Sequence, residues 1–210
     1  MKNILNSMLD LVFPPRCEVC GEGSAEPLCA ECFTQIKFMK PHYGIYSAAA
    51  YDGVVKTAIH RFKYQKRSRL AGPLGVMLVR YISEIPGLKI EEIDRIIPVP
   101  LHHKRLRARG FNQAARLAQV VGKYYEKPVT EALARMRDTH SQFDLPREKR
   151  LTNVSGAFKV TDSRSVFGQR VMLVDDIYTT GATIAECSRA LKVAGAKRIE
   201  VLTLSRAVED

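Results

Sequence analysis

The stretch that decides the fold is VMLVDDIYTTGAT, residues 171–183. Four apolar residues, Val171 to Val174, run into two adjacent carboxylates, Asp175 and Asp176. A short apolar run bounded by a polar turn is the pattern of a buried strand. Thr179, Thr180, Gly181, Ala182 and Thr183 follow, and then the apolar-periodic segment TIAECSRALKVAG (183–195), a helix ended by Gly195. A loop passing from strand to helix offers an anion its backbone N–H groups, its hydroxyls and the positive end of the helix. Gly181 can take the left-handed conformation such a loop requires. Two carboxylates beside an anion repel it unless something separates them. A ribose 5-phosphate unit does so, with its phosphate in loop 179–183 and its two hydroxyls, or a magnesium ion bound to them, facing Asp175 and Asp176. The competing reading is a strand that ends in a solvated acidic turn with a Thr/Gly helix cap. Each of those features is common alone, and the full combination is not.

Outward from this stretch, strands and helices alternate. GIYSAAAY (44–51) reads as a strand, VVKTAIHRFKY (54–64) and LAGPLGVMLVRYI (70–82) as helices, and DRIIPVP (94–100) as a buried strand closed by prolines. A basic loop leads from there to a helix over 112–125, with Asn112 as its N-cap. PVTEALARMR (128–137) holds a candidate strand, and 138–158 is polar and turn-rich, a long loop. RIEVLTLSRA (198–207) is the last strand. Alternation with apolar strands gives an α/β fold, a parallel sheet flanked by helices.

Four of the five cysteines lie ahead of this unit, in two pairs. CEVC (17–20) and CAEC (29–32) place Cys17, Cys20, Cys29 and Cys32 at a spacing that suits one tetrahedral zinc ion. A closed shell of four thiolates leaves no position for water, so the role is structural. Redox dithiols or plain buried cysteines are the alternatives, and Cys187 has no partner pattern. The first sixteen residues read as a short docking helix with Ile4, Leu5, Met8, Leu9 and Val12 on one face, ended by Pro14-Pro15. Its apolar run is broken by Asn6, Ser7 and Asp10 and no small-residue cleavage site follows, which argues against a signal peptide. A peripheral membrane anchor is the less favoured alternative, because the polar face is not rich in Lys or Arg. Without an export signal, metal binding is favoured over disulfides. The expected division is a helix and zinc module over 1–40 and an α/β domain over 41–210.

The 210 residues carry 33 Lys and Arg against 22 Asp and Glu, a net charge of +11. Such an excess favours an anionic partner. No segment reaches the length of a membrane span. The positive charge is concentrated. PVPLHHKRLRARGFNQ (98–113) carries Lys104, Arg105, Arg107 and Arg109 and no acid. The planar fork of Arg suits phosphate, and Arg105 and Arg109 are candidate pyrophosphate contacts, with His102 and His103 as weaker donors. Residues 53–83 also lack any acid, and hold Lys56, Arg61, Lys63, Lys66, Arg67, Arg69 and Arg80 with Tyr51, Phe62 and Tyr64 close by. Cations interleaved with aromatics suit single-stranded nucleic acid, although Phe62 and Tyr64 could equally be core residues.

VMLVDDIYTTGAT is similar to the phosphoribosyl pyrophosphate signature of type I phosphoribosyltransferases. Together with CEVC…CAEC and PVPLHHKRLRARGFNQA, it makes nearly the whole chain resemble the ComF family of competence-associated proteins. The resemblance implies a zinc module joined to a phosphoribosyltransferase fold, in a cytosolic protein that handles DNA during natural transformation. Single-stranded DNA, proteins of the uptake machinery and a position beside the inner membrane reached through them are the expected partners and location. By position, Asp175 and Asp176 would hold the ribose hydroxyls of magnesium-bound phosphoribosyl pyrophosphate, and residues 179–183 its 5′-phosphate. Loop 138–158 resembles the hood that closes over the substrate, with Gln142, Arg147, Arg150 and Asn153 as its polar candidates. Two functions follow from this. One is a binding protein that holds the ligand while handling single-stranded DNA. The other is an active phosphoribosyltransferase that releases pyrophosphate and ribosylates a nucleobase or amine, with Asp175 and Asp176 as catalytic residues.

Overall fold

The apolar run 171–174 lies inside a four-stranded sheet and is completely buried. The computed structural model describes residues 14–138 and 155–207. In chain order it holds helix α1 (Ala30–Thr34), strand β1 (Ile45–Ala50), helices α2 (Gly53–Tyr64) and α3 (Ala71–Glu84), strand β2 (Arg95–Pro98), helices α4 (His103–Arg109) and α5 (Gln113–Tyr124), strands β3 (Leu133–Arg135), β4 (Phe158–Val160) and β5 (Arg170–Tyr178), helix α6 (Ala182–Val193) and strand β6 (Arg198–Arg206). The main sheet runs β1-β6-β5-β2 with every pairing parallel.

Alternation along β5 sorts its side chains between two cores. Met172 and Val174 join one with residues of α2, α3 and α5, while Val171 and Leu173 join the other with Ile184, Cys187 and Leu191 of α6. Both faces are therefore covered, which is why the strand reads as a continuous apolar run.

The topology also fixes where a ligand can sit. From β5 the chain passes through α6 to β6 on one side. From β2 it returns on the opposite side, where Val129 bridges Ile96 in parallel. Successive connections thus diverge at β2 and β5, and the gap at their carboxyl ends is the natural crevice of an open α/β sheet.

Several expectations needed correction. The basic segment after β2 is not a loop. Residues 103–109 form a two-turn helix closed by Gly110 at φ 83°. Lys, Arg, Leu and Ala are good helix formers, and they prevail where no apolar periodicity marks the helix. The expected loop 138–158 ends in β4, which pairs antiparallel with β3, Phe158 opposite Arg135. Residues 142, 147, 150 and 153, the polar candidates of the hood, lie outside the described residues, as does the docking helix as far as residue 13.

The cysteine module is packed into the sheet domain. Cys17, Leu28, Cys32 and Ile36 share one buried cluster with Ile59, Phe62, Leu74 and Met77. Phe38 bridges Ala49 of β1, and Arg61 of α2 donates to the carbonyl of Glu18 at 2.8 Å.

Candidate functional site

Four segments meet at the carboxyl end of the sheet. These are the end of β5, the loop 179–181 entering α6, the α4–α5 segment after β2, and the end of α2. The pocket between them is lined by Asp175, Asp176, Thr179 and Thr183, by Arg105 and Arg109, and by Lys63 and Arg135.

The loop has the form its sequence implies. Gly181 adopts φ 77°, and a Cβ there would stand 2.5 Å from the Tyr178 hydroxyl oxygen, so any other residue would be strained and would displace the Tyr178 ring. The Thr180 hydroxyl accepts from the Ala182 amide at 3.5 Å, and α6 begins at Ala182. Thr179 and Thr183 face the pocket from either side of this turn.

The two aspartates differ in their surroundings. Asp176 is buried, and its Oδ1 lies 2.8 Å from Lys63 Nζ, with both side chains about nine-tenths covered. Asp175 is half-buried and accepts the Asp176 backbone amide at 2.8 Å. Burial, with the charge of Asp176, pushes the Asp175 carboxyl up to about 7, against the opposing pull of Lys63, that amide and Arg135. Beneath the pair, Ser205 donates to the Asp176 carbonyl at 3.4 Å, and Ser47 and Thr203 share a hydrogen bond at 2.8 Å.

The basic wall divides. Arg105 and Arg109 line the pocket, whereas Lys104 and Arg107 are exposed outside it. Asn112 caps α5 by accepting from Ala114 and donates to the Val99 carbonyl at 3.0 Å, which ties this wall to the end of β2. Arg109 donates to Gln113 at 3.1 Å. His102 is buried, with Nδ1 3.5 Å from Asp138.

Two pocket residues escaped the sequence reading. Lys63 falls among the cations read as candidate nucleic-acid contacts, but its ammonium lies on Asp176. Arg135 stood in a segment without periodicity, yet β3 buries it and aims it at the pocket, where burial and Arg105 pull its guanidinium down to about 10. Phe62 is fully buried against Phe111 and belongs to the core, whereas Tyr64 is 53 % exposed at the pocket rim.

At the other end of the chain, the Cys17, Cys20, Cys29 and Cys32 sulfurs all lie within 4.8 Å of one another. Cys17 and Cys32 are 3.8 Å apart, and Cys20 and Cys29 3.7 Å. Tetrahedral zinc–sulfur bonds of about 2.3 Å require sulfur separations of roughly 3.8 Å, which the Cys17–Cys32 and Cys20–Cys29 distances match, so the donor set suits zinc. The amides of Val19 and Cys29 both point at Cys17 Sγ from 3.4 Å. With all four positions filled by sulfur, the ion would be structural.

Comparison with known proteins agrees with both halves. The family model of the double zinc ribbon domain matches residues 8–44, and that of the phosphoribosyl transferase domain matches 106–209. Competence protein F of Haemophilus influenzae is 32% identical over 197 residues, covering 86% of this chain and 85% of that protein. DNA utilization protein YhgH of Escherichia coli O6:H1 is 32% identical over 201 residues, covering 94% and 85%. Competence protein ComFC of Bacillus subtilis is 27% identical over 198 residues, covering 90% and 77%. The parallel sheet with its flanking helices is the phosphoribosyltransferase fold.

Two outcomes follow for stability. Lys63→Met strands a buried carboxylate and lowers unfolding free energy by about 3–5 kcal/mol, while Lys63→Met/Asp176→Asn recovers most of the loss. Urea denaturation of the four proteins of this cycle measures the coupling. Stripping zinc with a chelator lowers the thermal midpoint of the entire chain, because the module shares the main core. Calorimetry that finds the main transition unmoved would contradict this.

Proposed function

Given that the chain belongs to the ComF family, we propose that its pocket binds phosphoribosyl pyrophosphate with magnesium, in a protein that handles single-stranded DNA during DNA uptake. The observation that carries the reading is the placement of Asp175 and Asp176 beside the Gly181 turn in one pocket walled by Arg105 and Arg109. The 5′-phosphate takes the amides and hydroxyls of residues 179–183. The ribose spans from there to the aspartates, and its pyrophosphate reaches the arginine wall. Magnesium would enter with the ligand and would offset the charge of its phosphates. Lys63 already neutralises Asp176, and Asp175 Oδ1 already accepts an amide, so the pair is not a metal cage of its own.

The neutralising lysine has a consequence for binding. A bare pair of carboxylates would oppose a polyanionic ligand, whereas Lys63 and the raised Asp175 carboxyl reduce that charge. The pocket keeps hydroxyl acceptors without carrying two full negative charges.

Relatives named for competence and for DNA utilization support the DNA context, as does the net charge of +11. The double zinc ribbon is then a structural anchor for the wall made by α2 and α3. The protein would work in the cytosol beside uptake machinery, and no helix of the described residues is long and apolar enough to cross a membrane.

Calorimetric titration of phosphoribosyl pyrophosphate with magnesium tests this reading. The wild type should bind saturably, and Asp175→Asn and Gly181→Ala should each weaken binding by about tenfold or more. A wild type that binds nothing would refute the pocket assignment. Single-stranded DNA binding should fall steeply as salt rises, with a log–log slope that counts the phosphates contacted.

A further inference from the structure

A second, shallower groove opens from the pocket rim between the end of α2 and the outer side of α4. It is lined by Lys63, Tyr64, Arg105, Ala108 and Arg109, none of them acidic. Three of the five are cations and one is an exposed aromatic. The Tyr64 ring is 53 % exposed, yet it is held in place. His60 packs against it with ring centroids 5.0 Å apart, and the Arg109 guanidinium lies 5.1 Å from its centroid. Arg109 is fixed in turn by its bond to Gln113. The result is a row of planar groups in mutual contact at the mouth of the pocket.

A single strand needs these two things, a planar surface for a base and cations for the adjoining phosphates. A platform that is already ordered loses little side-chain freedom on binding. Ala108 leaves the floor of the groove open between the two arginines. Further cations of α4, Lys104 and Arg107, stand exposed on the same helix, where a strand leaving the groove would pass.

We infer that this groove is the site at which single-stranded DNA docks, with one base added to the Tyr64–Arg109 stack, and that DNA and the pocket ligand exclude one another. Exclusion follows because both need the same side chains. Arg105, Arg109 and Lys63 line the groove and the pocket alike. A strand phosphate and a pyrophosphate drawn to the same guanidinium compete for its donors and repel one another at that distance. The linkage is reciprocal, so each ligand weakens the other by the same factor. The exclusion rests on the pocket reading given above, whereas the docking site stands on the groove itself.

Fluorescence anisotropy of a labelled oligothymidylate on the full-length, zinc-loaded protein tests both statements. Tyr64→Leu should weaken oligonucleotide binding by about tenfold, with Tyr64→Phe close to wild type. Ala108→Glu puts an acid on the groove floor at an exposed helical position and should weaken it similarly, with Ala108→Gln as the control for size. Phosphoribosyl pyrophosphate with magnesium, at about ten times its own dissociation constant, should raise the apparent oligonucleotide constant about tenfold. Matched ionic strength from chloride salt should not. Unchanged oligonucleotide affinity in both Tyr64→Leu and Ala108→Glu would overturn the docking site. Simultaneous, independent binding of both ligands would overturn the exclusion. If the phosphoribosyl ligand does not bind the wild type, the pocket reading and the exclusion fall together, while the two groove variants still decide where DNA docks.

Discussion

Everything at the carboxyl end of the sheet depends on one buried ion pair, Lys63 with Asp176 at 2.8 Å. β5 carries an apolar run straight into two carboxylates, and the second of these is buried. An ionised group so placed persists only with a charged, hydrogen-bonding partner. Lys63 comes from the last turn of α2, so the pair also fixes that helix end against β5. Tyr64, the next residue, is thereby set at the rim of the pocket. The geometry of the aspartate pair and the position of the Tyr64 ring are consequences of the same contact.

A second constraint is the divergence of connections at β2 and β5. It leaves a crevice at their carboxyl ends, and the chain fills the walls of that crevice with cations and hydroxyls. The α4–α5 wall is tied to β2 through Asn112 and Val99. The Gly181 turn is pressed against the Tyr178 ring, which an added side chain would have to displace. These contacts hold the pocket walls before any ligand arrives, which lowers the ordering cost of binding.

The sequence was most legible where one pattern had one cause. Residues 171–174 could only be a buried strand, and the two C-x-x-C pairs place four sulfurs at zinc-like separations. Asn112 was visible as a cap, and it caps α5. Legibility failed where long-range packing decided. Lys63 sits in an acid-free run whose cations and aromatics suit nucleic acid, and the approach of β5, more than a hundred residues later, is what brings Asp176 onto it. Arg135 lies in a three-residue strand, too short for any periodicity, whose place depends on pairing with β4. α4 was hidden because its apolar residues are few and its cations face the pocket and solvent, so nothing repeats at helical spacing. Packing also joins the cysteine module to the sheet domain through one core that runs from Leu28 and Ile36 to Met77.

The most direct test of the central claim is hydrogen–deuterium exchange with and without phosphoribosyl pyrophosphate and magnesium. The account predicts that amides of residues 176–185 gain the most protection, because the loop amides take the 5′-phosphate. Peptides covering 103–113 should gain protection alongside them. Protection confined to other surfaces, or none at saturating ligand, would contradict a phosphoribosyl site at the end of β5.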